Sequence, residues 1–139
     1  MMKPNYGGSM TGLITIQSKY SVKETIDRLV QIVESKEMTV FARIDHAANA
    51  EKQGMQMRPT ELVVFGNPKV GTFIMQDKQT SGIDLPLKAL AWQDESGKVW
   101  LTHNDSKWLL NRHDLSVQVG PIIIKIEDAM NSLTALAAN

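Results

Sequence analysis

Residues 58–72, RPTELVVFGNPKVGT, hold the densest set of side chains suited to chemistry in this 139-residue chain. An apolar run ends there in a glycine and proline turn. Strand ends of that kind are where α/β proteins commonly bind ligands. Gly66 can take a positive φ or permit close backbone approach. Pro68 fixes its own φ and biases Asn67 to extended geometry. Thr72 reads as an N-cap, which would leave the amides of Phe73, Ile74 and Met75 at a helix start. Those amides, with Lys69 and Arg58, would favour an anion. The spacing Gly66-x-x-x-x-Gly71-Thr72 lacks the lysine of a phosphate loop, so nucleotide-triphosphate hydrolysis is rejected. The competing reading is a tight strand-to-helix connection whose polar groups satisfy one another.

Asp45-His46 is the next candidate. Asp45 suits an N-cap for a helix beginning at His46. Alternatively His46 carries a proton, oriented by Glu61 or Asp84, since imidazole titrates near neutrality. A metal site would draw on His46, Glu61, Asp84 and His103, but no close His-x-His or His-x-x-x-His pair occurs. No metal and no cofactor is expected. Arg58 and Glu61 also suit a structural ion pair, and Asp84 before Leu85-Pro86 suits a turn. Trp92, Trp100 and Trp108 read as core or interface aromatics. Met55, Met57 and Met75 would fill the core or line an adaptable pocket. A Gly-x-Ser-x-Gly nucleophile signature is absent. The ligand-binding candidates are therefore His46, Arg58, Glu61, Asn67, Lys69, Thr72 and Asp84, and no catalytic residue is assigned.

Positioning these groups falls to elements that the hydrophobic spacing predicts. Residues 13–18 are short and β-branched, a first strand. Ser21 and Glu24 fit a capping box, and Val22, Ile26, Leu29, Val30 and Val33 follow at helical spacing over about 22–35. Residues 38–45 alternate, with Val40, Ala42 and Ile44 facing one way. Residues 46–53 form a short helix stopped near Gly54. The run Leu62-Val63-Val64-Phe65 shows no alternation and is expected to be covered on both faces. Another helix is expected from Thr72 to about Gln79. Residues 85–93 and 98–103 form a hairpin joined at residues 94–97, and residues 106–111 add one or two helical turns. Gly120-Pro121 opens a last helix, with Ile122, Ile126, Met130, Leu133 and Leu136 as its stripe; the Ile122-Ile123-Ile124 run alone would also suit a strand. Early alternation and a late hairpin predict an α+β two-layer sandwich, a mixed sheet of about five strands with helices packed on it. Residues 1–11 read as a flexible tail and residues 12–139 as one domain.

Composition narrows the function classes. Fifteen residues of each charge sign and no basic block remove the electrostatic footprint of a nucleic-acid binder. The chain has no cysteine, which excludes disulfides and thiolate chemistry. No apolar run approaches the roughly 20 residues of a membrane span, and residues 1–9 lack a signal-peptide core. The expected setting is cytoplasmic and soluble.

FARIDHA, RPTELVVFGNPKVGT and GIDLPLKALAW, in this order and spacing, resemble the domain-of-unknown-function family numbered 302 over about residues 12–113. The resemblance implies a compact two-layer α+β domain, often dimeric, with no settled biochemical role. Phe73 stands where the family pattern has proline. Two functions compete. One is a self-associating binding module without catalysis, a homodimer in which the two-fold mate closes a face left open by one copy. The other is a binder or enzyme for a small anionic metabolite at the strand-end pocket, with Lys69 and Arg58 holding the anion and His46 or Glu61 moving a proton.

Overall fold

The computed structural model describes residues 11–139. The expectation of a flexible tail falls, apart from Thr11, outside that range. Five strands, β1 (Leu13–Ser18), β2 (Thr39–Asp45), β3 (Thr60–Gly66), β4 (Leu87–Gln93) and β5 (Val99–Asn104), form one sheet in the order β1-β5-β4-β3-β2. Five α-helices join them: α1 (Val22–Ser35), α2 (His46–Lys52), α3 (Pro68–Asp77), α4 (Ser106–Arg112) and α5 (Gly120–Ala138). This is the expected two-layer α+β architecture.

The sheet is antiparallel at every pair rather than mixed. The reason lies between β3 and β4. There α3 leads away and a 3-10 segment, Gln79–Ile83, follows it, so the chain re-enters at the end of the sheet where β3 left it. β1 and β2, which α1 joins, lie at opposite edges and never pair.

Helix α1 begins where the sequence places it: Ser21 Oγ accepts from the Glu24 amide at 3.1 Å. Its apolar stripe, Val22, Ile26, Leu29 and Val33, packs with α5 on one face of the sheet against Val63, Phe65, Ala91 and Leu101. Val63 and Phe65 are completely buried, whereas Leu62 and Val64 between them are only half-buried. The expected double cover of this run is therefore corrected. β3 alternates in burial because α1 and α5 pack on the face that Val63 and Phe65 share.

Two apolar patterns also shift. A bulge between Val40 and Ala42 breaks the alternation of β2. Val40 consequently joins the helix-covered core, while Ala42 and Ile44 take the other face. In α5 the buried side is centred on Ile123, Glu127, Met130 and Leu133, and Leu136 is exposed. The helix packs against α4 as well as α1, which rotates its buried side away from the predicted stripe. A smaller cluster of Ile74, Leu110, Leu115, Val119 and Ile123 ties α3, α4 and α5 together.

Candidate functional site

The turn at Gly66 does not leave free amides. Asn67, not Thr72, caps α3. Its side-chain oxygen accepts from the Lys69 amide at 3.0 Å and from the Val70 amide at 3.4 Å. Pro68 occupies the first turn and has no amide hydrogen, and the Gly71 amide already bonds to the Asn67 carbonyl. Thr72 lies one turn inside the helix, so the amides of Phe73, Ile74 and Met75 are helix interior. The predicted amide cradle for an anion is absent. The helix starts four residues earlier because asparagine followed by proline is itself a strong start signal.

The seven candidate side chains do not converge. Arg58 and Glu61 line a cleft of about 1160 Å³ at one end of the sheet, beside Asp45, Glu51 and Trp92. Asn67, Lys69 and Thr72 line a separate groove of about 1090 Å³ between α3 and α5. Asp84 and His46 line neither cavity.

In the sheet-end cleft, Arg58 and Glu61 are not partners. Arg58 Nε donates to the Gln93 carbonyl at 3.1 Å, which lashes residues preceding β3 to the end of β4. Glu61 accepts from Arg43 Nε at 2.6 Å. Arg43 also reaches Asp27 at 2.7 Å, and Asp27 reaches Lys23 at 2.8 Å. The Glu61 carboxylate raises the Arg43 pKa, and Lys23 and then Arg43 lower that of Asp27. The signal for the Arg43–Glu61 pair was in the strand register. Arg43 stands opposite Val63, which makes Glu61 its diagonal neighbour on the same face. The cleft carries two cations, Lys23 and Arg58, against three carboxylates, Asp45, Glu51 and Glu61. That balance disfavours an anion.

Asp45 accepts from the Ala48 amide at 2.9 Å and so caps α2, the simpler of its two readings. Asp84 does orient a histidine, but it is His113 and not His46. His113 Nε2 bonds to the Asp84 carboxylate, and His113 Nδ1 lies 3.1 Å from Thr80 Oγ1. Arg112 Nη1 donates to Asp84 at 2.9 Å. Carboxylate, imidazole and hydroxyl stand in the order of a nucleophilic triad. Neither the sheet-end cleft nor the groove between α3 and α5 includes any of the three. The contacts instead pin α4 to the 3-10 segment. Sequence spacing gave no clue, since 29 positions separate Asp84 from His113.

Two of the three tryptophans are satisfied internally, and Arg112 lies over the ring of the third, Trp108, at 5.0 Å. Trp92 Nε1 donates to Thr102 Oγ1 and Trp100 Nε1 to Asp94 Oδ2, both at 2.8 Å, with the two rings 6.4 Å apart. No group of three or more histidine or acidic side chains suited to a metal ion occurs among the described residues.

A family model described as "Domain of unknown function DUF302" matches residues 14–133. The "Fluoride-specific ion channel FluC 1" of Brucella suis biovar 1 (strain 1330) is 48% identical over 128 residues, covering 92% of this chain and 50% of that protein. The "Fluoride-specific ion channel FluC 2" of Brucella melitensis biotype 1 is also 48% identical, over 92% of this chain and 47% of its own length. The chain thus spans about half the length of the curated relatives it matches. Among solved structures, an uncharacterized conserved DUF302 protein from Bacillus stearothermophilus superposes with a TM-score of 0.81 at 17% identity. That match covers 93% of this chain and 99% of the other, and it speaks to the fold.

Proposed function

The chain belongs to the DUF302 family, and we propose that it is a cytoplasmic, self-associating binding module without catalysis, paired across the open face of its sheet. One observation carries this reading. On the face away from α1 and α5, Ile44, Leu62 and Leu90 stand side by side in register across three strands. Trp92 and Trp100 continue the apolar surface. All five are only half-buried in the single chain. Contiguous apolar surface of this kind marks an interaction site more often than a solvated face. A two-fold mate would lay the same row against itself, sheet on sheet. The test is light scattering at micromolar concentration. A dimer is expected, and Leu90→Glu is expected to give a folded monomer. A monomeric parent protein removes the reading.

A second reading comes from the relatives named as fluoride channels. An ion path across a bilayer needs spanning helices or a closed barrel. No helix among the described residues here is long and apolar enough to cross a membrane, and the five-stranded sheet is open. On this reading the part of those relatives beyond the match carries the ion path, and the present domain is an accessory that acts beside such a channel. Co-expression with a fluoride channel from the same genome, followed by purification in detergent, tests it. Retention of the channel through the tagged domain is expected, and recovery of the domain alone sinks the idea.

A further inference from the structure

The groove between α3 and α5 differs from the sheet-end cleft in one chemical respect. Its walls are apolar almost throughout, and its only ionic side chains are two lysines, Lys69 and Lys125. No carboxylate lines it. Neither lysine has an ion pair or a side-chain hydrogen bond among the described residues, and both are exposed. The lining residues Ile74, Met130 and Leu133 are at most 4% exposed, while Phe41 and Phe73 are each 49% exposed. The bulge in β2 makes Phe41 an extra residue of that strand, and Phe73 lies mid-helix in α3. Met38, Met75 and Met130 add unbranched, adaptable side chains to the lining. The volume, about 1090 Å³, lies at the upper end of small-molecule sites, which run to roughly 1,000 Å³.

We infer that this groove binds a single-chain anionic amphiphile, a fatty-acid-like molecule whose alkyl chain lies between Val70 and Phe73 on one side and Ile122 and Ile126 on the other, over a floor of Ile74, Met130 and Leu133, and whose carboxylate meets Lys69 or Lys125. Apolar walls on both sides of the groove, Val70 and Phe73 on α3 and Ile122 and Ile126 on α5, favour an inserted chain over a flat membrane surface. The unpaired lysines select the sign of the head group, since an isolated carboxylate beside them gains hydrogen bonds from a charged donor. Part of the earlier anion expectation at Asn67, Lys69 and Thr72 thus moves from backbone amides to the lysine side chain.

The probe is dodecanoate, titrated into the full chain by calorimetry below the concentration at which it forms micelles. Saturable binding near one molecule per chain is expected. Dodecanol, with the same chain and no charge, is expected to bind about three- to tenfold more weakly, as is dodecanoate to the Lys69→Gln/Lys125→Gln variant. Ala129→Trp, on the exposed side of α5 in the groove, is expected to abolish binding with its circular dichroism unchanged. Leu90→Glu is expected to bind as the parent does, which separates this site from the sheet-face reading. No saturable binding, equal affinity for dodecanol, or an unaffected double variant overturns the assignment. So does sedimentation with anionic phosphatidylglycerol vesicles in the absence of dodecanoate binding, which would assign the groove to a membrane surface.

Discussion

The two faces of the sheet were built from the same strand and came out differently. In β3, Val63 and Phe65 point into the helical layer and lose all contact with water, while Leu62 and Val64 point away and keep part of theirs. Residue type does not distinguish the two pairs. What separates them is the presence of α1 and α5 on one side. Apolar identity in a strand therefore reports that both faces seek cover, and the fold of one chain supplies it to only one of them.

That contrast can be broken most sharply at Phe65. Phe65→Ala should cost about 3–5 kcal/mol in urea unfolding, because the ring is wholly enclosed. Val64→Ala on the open face should cost well under half as much in a monomeric background such as Leu90→Glu. Equal losses would mean that the open face is as closely packed as the covered one. A smaller loss is expected at the edge of the same sheet. Arg43→Met removes the partner of buried Glu61 and should destabilise by about 1–3 kcal/mol, below the 3–5 typical of a fully enclosed pair because solvent reaches Arg43. Asn67→Ala should cost about 1 kcal/mol through loss of the α3 cap, whereas Thr72→Ala should be nearly silent. The reverse order would restore Thr72 as the helix start.

The smallest effect concerns the covered side. Glu127 is 3% exposed on α5 and accepts from the Ser106 amide, and burial pushes its pKa up against the pull of that amide and of His103. A carboxyl whose folded pKa lies above its unfolded one contributes stability that is fully present below the unfolded value and is lost as pH rises through the folded one. Glu127→Gln keeps an acceptor oxygen and removes the titration. Melting temperature should therefore fall less in the variant than in the parent between about pH 4 and pH 7. A parallel pair of pH profiles would show that Glu127 is ionised without cost.

Much of the architecture was legible because local rules decided it. Ser21 before Val22, Gly97 in the hairpin turn at φ 90°, and Pro121 at the start of α5 mark their elements by stereochemistry that needs no tertiary information. The site was less legible. Nothing local says that Glu61 meets Arg43 instead of Arg58, since register across β2 and β3 decides it. Nothing local says that Asp84 finds His113, since that contact waits on the docking of α4. The start of α3 is readable from Asn67-Pro68, but Thr72 offers a second cap residue five positions on, and only the fold decides between them. The resemblance to the family gave the fold and no chemistry, and the side-chain geometry explains why. The polar residues in its blocks serve largely as caps, lashings and ion pairs.

The hydroxyls of Thr15 and Thr102 touch at 2.9 Å although they stand 87 positions apart, because β1 joins the sheet only beside β5. A chain emerging from the ribosome must hold that segment unpaired until the hairpin has been synthesised. Pairing at such separation slows collapse to the native state, which exposes β-branched residues to foreign strands for longer. Synthesis order thus leaves Leu13–Ser18 waiting longer for its partner than any other strand of the sheet.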